Sequence, residues 1–332
     1  MAHNVLVTGG AGYVGSHICK ALAAAGHRPV ALDDMSAGHL WALQWGPAVQ
    51  ADVRDTAAII QALRQHRIHV VVHAAQCVRR DGASKRPDRH YEVNVGGTLA
   101  VLQAMREAQV GAIALASSAG VYGSPLRLPV SEGAFPAPRS SLYASRLMGE
   151  TILADYAAAF GIQYTALRHF SVAGADPDNE LGPLRRPESH LFPLAARVSL
   201  GEAPHLVVHG DDYATPDGTC IRDYVHVSDV AAAYPLVLGR LLDGRAAAAY
   251  NLGSGEGHSV SEVLAAMGRV TGRPLPRQVG PRREADTPTL VADIGRARAE
   301  LRWTPKFSDL NTLVKTTWAW ALRCQQEAGS AG

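Results

Sequence analysis

Three glycines stand at even spacing, Gly9-x-x-Gly12-x-x-Gly15, just after the apolar run Val5-Leu6-Val7 and around the start of an amphipathic stretch at Tyr13-Val14. Strand, glycine turn and helix start in that order make an anion cradle. Gly9 permits a tight turn and Gly12 lets bare main-chain N–H groups approach a pyrophosphate. Gly15 lets the helix pack close, and the helix N-terminus adds favourable potential for the anion. Asp33 closes the next strand-like run 18 residues beyond Gly15, where a carboxylate accepts hydrogen bonds from a ribose diol. Asp33-Asp34 would repel a 2′-phosphate, and no arginine follows at once, so the sequence predicts NAD rather than NADP. Asp52-Val53, after a further short strand, is placed to hold the adenine edge.

The elements that must position these residues are legible as an alternation. Strand-like runs at Val5–Val7, Pro29–Leu32, Val70–Val72, Ala112–Leu115 and Tyr164–Leu167 are separated by helical patterns at Gly15–Ala25, Ala57–His66, Gly97–Ala108 and Arg146–Phe160. That order is expected of repeated right-handed βαβ units and predicts an α/β fold with a doubly wound parallel sheet of the Rossmann type. After about Ala173 the texture changes to loops rich in Pro and Gly, followed by a helix around Phe192–Leu200. We therefore expect an NAD-binding domain over residues 1–173 and a smaller, mainly substrate-binding lobe over 174–332, with segments around 220–255 returning to the first domain. Ligands of open α/β sheets bind outside the carboxyl ends of the strands, where this lobe would supply a wall. The polar tail Gln325–Gly332 is expected to be loose.

Bulk properties narrow the function classes. A chain of 332 residues exceeds what one core usually supports, which agrees with two lobes. No run reaches the ~18 apolar residues of a membrane span, and the N-terminus passes straight into a strand, so neither membrane insertion nor secretion is expected. The cysteines Cys19, Cys77, Cys220 and Cys324 are scattered, with no zinc or disulfide spacing, and a reducing cytoplasmic setting fits them. No metal site is expected. A formal net charge of +2 without a basic block lacks the footprint of a nucleic-acid binder and points to a small-molecule partner.

Seven blocks carry a resemblance: Val7–His17, Asn94–Leu99, Ser117–Gly123, Ser171–Asp176, Asp217–Val227, Asn251–Gly255 and Pro281–Asp286. In these, over nearly its whole length, the chain resembles the extended short-chain dehydrogenase/reductase superfamily and, within it, the UDP-glucose 4-epimerase family. The resemblance implies a cycle in which a base takes the sugar 4-OH proton, the C4 hydride passes to NAD, the 4-keto sugar turns, and hydride returns to its other face. It implies that Ala74, Ala75, Asn94 and Phe170 line the cofactor and that Ser118 bonds the sugar oxygen. Arg222, Arg283 and Asp286 would hold the nucleotide diphosphate and ribose, a task that suits the planar guanidinium fork. Ser171, His190, Leu191 and His209 fall at further substrate positions of the family pattern. Such proteins often pair through two long helices, so a homodimer is expected.

The chain departs from the pattern where the base should be. The family's Tyr-x-x-x-Lys helix stacks both side chains on one face, the ammonium favouring tyrosinate. Here the segment reads Ser140-Ser141-Leu142-Tyr143-Ala144-Ser145-Arg146-Leu147-Met148-Gly149-Glu150. Leu142 takes the tyrosine position, Arg146 the lysine position, and Tyr143 comes one place late. If the helix entry is shortened by one residue, Tyr143 and Arg146 share a face and the guanidinium supports a tyrosinate by charge, without a lysine's proton relay. If the helix is unchanged, Tyr143 is turned by about 100° and Leu142 faces the nicotinamide. Other changes fall nearby: Gln76-Cys77-Val78 with Arg79-Arg80, Arg168-His169-Phe170-Ser171, His190-Leu191, and His209 beside the base. His169 is read either as a proton acceptor or as a packed structural imidazole. The leading expectation is a nucleotide-sugar 4-epimerase acting on a UDP-hexose with Ser118, Tyr143 and Arg146. Its alternatives are NAD-dependent oxidation of another activated sugar or cyclitol, and a silent NAD-binding protein.

Overall fold

Short, β-branched apolar runs bounded by glycine and polar turns become strands buried on both faces, and with the exposed edge strand at Ala48–Gln50 seven strands form one parallel sheet. The computed structural model describes residues 2–77, 86–184, 188–245, 248–283 and 286–330. The strands in chain order are β1 (Asn4–Thr8), β2 (Arg28–Asp33), β3 (Ala48–Gln50), β4 (Val70–His73), β5 (Ala112–Ser118), β6 (Gln163–His169), β7 (Ser171–Ala173), β8 (Leu206–His209), β9 (Ile221–Arg222), β10 (Tyr224–His226), β11 (Ala249–Leu252), β12 (His258–Ser259), β13 (Arg277–Gly280) and β14 (Thr289–Leu290). The large sheet runs β11-β6-β5-β4-β1-β2-β3. Its order reverses between β1 and β4, which puts a crevice at their carboxyl ends, beside the glycine turn.

The helices are α1 (Tyr13–Ala24), α2 (Thr56–Gln65), α3 (Pro87–His90), α4 (Gly97–Glu107), α5 (Ser141–Phe160), α6 (Leu191–Leu200), α7 (Val227–Leu242), α8 (Val260–Thr271) and α9 (Leu310–Ser330). α3 passes through a π-helical turn, Tyr91–Gly96, directly into α4. Local chemistry fixes several starts: Asp55 caps α2, Ser140 caps α5, and Ser259 with Glu262 forms a capping box on α8. Val5, Val7, Val70 and Val72 face α1 and α7, whereas Leu6, Val71, Ile113 and Leu115 face α2, α4 and α5. A third core joins α6, α8 and α9 beneath β8.

The doubly wound fold expected from the alternation is present. β11, inside the segment 220–255, lies parallel to β6 at the sheet edge. The tail differs from expectation, because Gln325–Ser330 continues α9 instead of hanging loose. Leu313, Val314, Thr317 and Trp320 bury one stripe of this helix, and the Arg323–Glu327 pair extends it by a turn. Among the described residues no helix is long and apolar enough to cross a membrane.

Candidate active site

The cradle is built from absent side chains. Gly9 adopts φ +71°, its N–H donates to Leu32 O at 2.7 Å, and a Cβ there would fall 2.8 Å from the Ala75 backbone. A Cβ at Gly15 would fall 2.0 Å from Gly9 O, so only glycine lets α1 begin this close to β1. Gly12 caps α1 without any side-chain bond, which leaves the first-turn amides for a ligand anion. These features fit a dinucleotide pyrophosphate. Val14 packs partly into the core, and the Tyr13 hydroxyl donates to Gly174 O at 2.6 Å, tying the head of α1 to the chain beyond β7.

Asp33 ends β2 beside this turn. Its carboxylate accepts from Ala11 N at 3.0 Å and Met35 N at 2.9 Å, and burial pushes its carboxyl above the ordinary range. Asp34 is exposed and accepts from Ser36 in a local turn, so only the first aspartate faces the crevice. Asp52 is gripped by Arg54 at 2.6 Å, which holds its carboxyl below the usual range. Val53 is buried, with its Cγ1 only 2.8 Å from where a Cβ on Gly97 would lie. Ala74 and Ala75 both donate their N–H groups to Thr8 Oγ1, which fixes the floor of the crevice. Asn94, on the π-helical turn, is 2 % exposed. It accepts from Cys77 N at 2.8 Å and donates to Ser145 Oγ at 2.9 Å, bracing the loop after β4 against α5. Phe170 is buried behind the crevice.

The reaction corner lies at the carboxyl end of β5. Ser118 Oγ accepts from Gly120 N at 3.2 Å within the turn Ala119–Tyr122. The Tyr143 ring lies on Gly120, so closely that a Cβ there would be 2.2 Å from two ring carbons. Arg146 Nη1 stands 3.4 Å from Ser117 O. Ser118, Tyr143 and Arg146 are therefore gathered around residues 117–120. Ser140 caps α5 and the helix runs from Ser141, so Leu142, Tyr143 and Arg146 all lie in its first turns. Leu142, 4 % exposed, shares one line with Arg146 and Glu150, while Tyr143 is turned away from that line onto the turn.

Beneath the corner Glu150 accepts a short hydrogen bond from Ser117 Oγ and an ion pair from Arg168 at 2.7 Å, both partners being nearly buried. Arg168 also donates to the Tyr122 hydroxyl at 2.8 Å, which in turn donates to Asn251 Oδ1 at 2.7 Å. His169 is buried, its Nε2 3.0 Å from the Tyr234 hydroxyl. Burial and then the charge of Arg146 push its pKa down to about 3. The structure thus places His169 as a packed, neutral imidazole under α7.

Across the crevice, Arg222 on β9 approaches Asp286 at 3.4 Å and donates to Ile221 O. His209, at the end of β8, donates from Nδ1 to Pro281 O at 3.3 Å, its pKa lowered by burial and by the charge of Arg283. The parallel pairing of β8 with β13 brings these 70-residue-distant pieces together. Ser171 opens β7 and donates its N–H to Asp223 O. His190 is exposed at the head of α6 and bonds Glu188 at 3.0 Å, and Leu191 packs against the third core. Val78, Arg79, Arg80, Glu284 and Ala285 lie outside the described residues.

Two residues went unassigned in the sequence reading. Tyr213 is 5 % exposed, its buried hydroxyl has no hydrogen-bond partner among the described residues, and its ring lies 4.4 Å under Arg282. Asp223 is fully buried and accepts from the amides of Ser254, Gly255 and Ala292, so it knots three loops at the crevice wall. Its place between Arg222 and Tyr224 in a matched block was the available signal. The acidic trio Asp176, Asp178 and Glu180 is paired to Lys20, with each contact at 2.8 Å.

A family model described as the NAD dependent epimerase/dehydratase family matches residues 5–253. A UDP-glucose 4-epimerase of Rhizobium leguminosarum bv. trifolii is 39 % identical over 322 residues, covering 97 % of this chain and 98 % of that one. Among solved structures, the UDP-glucose 4-epimerase of Brucella ovis in complex with NAD superposes with a TM-score of 0.92 at 42 % identity, over 96 % of this chain and 98 % of that chain. The UDP-glucose 4-epimerase of Stenotrophomonas maltophila, with bound NAD and formylated UDP-arabinopyranose, superposes with a TM-score of 0.94 at 37 % identity, over 98 % and 99 %.

Proposed function

The chain belongs to the NAD dependent epimerase/dehydratase family, and from that premise we propose that it is an NAD-dependent nucleotide-sugar 4-epimerase that interconverts UDP-glucose and UDP-galactose. One observation carries the reading. The glycine cradle with Asp33 and the corner of Ser118, Tyr143 and Arg146 open at the carboxyl ends of the same parallel sheet, in a chain 39 % identical to a UDP-glucose 4-epimerase over 322 residues. When bound, NAD supplies a reversible hydride acceptor at C4 of the sugar.

The chain's own residues then have separable tasks. The amides of the glycine turn bind pyrophosphate, and Asp33 takes the ribose diol. Ser118 offers its hydroxyl to the sugar O4, and Tyr143, lying on the same turn, accepts the O4 proton and gives it back when the hydride returns. Arg146 holds a fixed positive charge there and moves no proton. Arg222 and Arg283 bind the diphosphate, with Asp286 on the ribose. A corner in which Leu142 replaces a hydroxyl favours a second reading, altered chemistry on another activated sugar. The deciding experiment confirms NAD occupancy by mass spectrometry and then follows UDP-glucose and UDP-galactose. Interconversion without net NADH is expected. Its absence from NAD-loaded protein rejects this activity, and accumulation of NADH supports the second reading.

We further place the enzyme in the cytoplasm as a homodimer. Exposed Tyr91, Met148 and Phe160 on the π-helical turn and α5 support pairing through that face. Light scattering should return twice the chain mass.

A further inference from the structure

Asp33 and the glycine turn are followed by a segment that reaches across to the opposite end of the chain. Gly38 sits against the cradle itself, since a Cβ there would lie 2.6 Å from Ala11 Cβ and 2.9 Å from Asp33 Oδ1. His39 donates its backbone N–H to Ala11 O at 3.1 Å, and its ring Nε2–H to Leu184 O at 2.7 Å. The His39 ring stacks on Trp41 with centroids 5.3 Å apart and planes 20° apart. Trp41 then meets Trp320 of α9, again at 5.3 Å. Trp320 is 4 % exposed, donates from its indole N–H to Pro183 O at 3.0 Å, and lies so close over Gly182 that a Cβ there would be 2.4 Å from the indole. Arg323 covers it further, 5.6 Å from the ring centroid.

We propose that the His39–Trp41–Trp320 aromatic cluster is a latch that retains the dinucleotide between turnovers, with these three as positioning residues acting through residues 36–42 on Asp33 and Ala11. For the adenosine ribose to leave Asp33 and the pyrophosphate to leave the turn, the segment bonded to Ala11 must lift. Lifting it parts the tilted ring contact of Trp41 with Trp320 and breaks the His39 bond to Leu184, so release is coupled to separation from α9. One aromatic contact, Trp41 on Trp320, and two hydrogen bonds, from His39 to Ala11 and to Leu184, resist that step together. The inference rests on the NAD reading above and adds a reason for such an anchor: a redox-neutral cycle that restores its own cofactor gains nothing from exchange.

The experiment loads the full chain with NAD and measures exchange against isotopically labelled NAD by mass spectrometry, alongside thermal melting. Trp41→Ala, at a site already 38 % exposed, and Trp320→Phe, which keeps an apolar ring, are compared with Leu63→Ala, a core truncation in α2 far from the latch. Exchange at least tenfold faster in Trp41→Ala and faster in Trp320→Phe, with turnover unchanged at saturating NAD, is expected. Exchange at the wild-type rate in both overturns the latch while leaving the NAD reading intact. Equal acceleration in Leu63→Ala also overturns it, by assigning the effect to general loosening. Wild-type protein that binds no NAD removes both readings.

Discussion

The cofactor cradle and the reaction corner sit at the same edge of one sheet yet are built on different principles. In the cradle, main chain and missing side chains make the site. Gly9 is required by its φ of +71° and Gly15 by a Cβ that would fall 2.0 Å from Gly9 O, while a Cβ on Gly12 would meet Gly9 O at 3.2 Å. In the corner, side chains on α5 make it, and their direction depends on helix phase, where one residue is worth about 100°. A main-chain site admits almost no substitution. A side-chain site can carry Leu142 and Arg146 on one line of α5 while the scaffold beneath, Glu150, Arg168, Tyr122 and Asn251, stays hydrogen-bonded throughout.

The largest effect should come from that scaffold. Glu150→Gln leaves the Arg168 guanidinium buried without a counter-charge, and loss of one partner of a buried pair costs about 3–5 kcal/mol. Urea unfolding should register it, and a loss below about 1 kcal/mol would show that the corner does not depend on this pair. Next, Gly15→Ala drives a Cβ into Gly9 O and should lower NAD affinity at least ~100-fold, near 2.7 kcal/mol, by calorimetry. Retained affinity would break the claim that the cradle is set by sterics of the main chain. Third, Tyr143→Phe should lower kcat about tenfold or more, close to 1.4 kcal/mol, with NAD content unchanged. Unchanged kcat would move the base function to another group and make the two regions less alike in role than proposed.

The same contrast decides what could be read from the sequence. The glycine spacing and Asp33 were legible because only glycine relieves those contacts and only an acid suits the diol. The strands β1, β2, β4, β5 and β6 were legible because strands buried on both faces are written as continuous apolar runs. β11 is four residues, Ala249–Leu252, without a pattern of its own, and it becomes a strand by pairing with β6. Gln325–Ser330 looked loose from composition, but the buried Trp320 stripe extends α9 through it. The direction of Tyr143 depends on where Ser140 caps α5 and on the space left by Gly120, neither of which is a local property of the motif. Asn94 was legible only through the resemblance of the block Asn94–Leu99, and its partners Cys77 and Ser145 are supplied by tertiary contact.

The last effect concerns two buried imidazoles, one under each region. His73, under the cradle between Thr8 and Thr98, is pushed by burial down to about 4. His169, under the corner, is pushed to about 3 by burial and then by Arg146. In both, the folded-state value lies below the unfolded value near 6.5, so between those limits the unfolded chain binds a proton that the native state refuses. Stability is therefore fully present above about pH 6.5 and is lost as pH falls toward 4 for His73 and toward 3 for His169. Replacing either by Gln keeps a hydrogen-bonding group and removes the titration. Melting temperature measured from pH 7 to 4 should thus fall less steeply in His73→Gln and in His169→Gln than in the wild type. An unchanged slope in His169→Gln alone would mean that this imidazole takes up protons near its ordinary value in the native protein. It would then be open to the crevice and available as a proton acceptor, and the corner would hold two candidate bases where we propose Tyr143 alone.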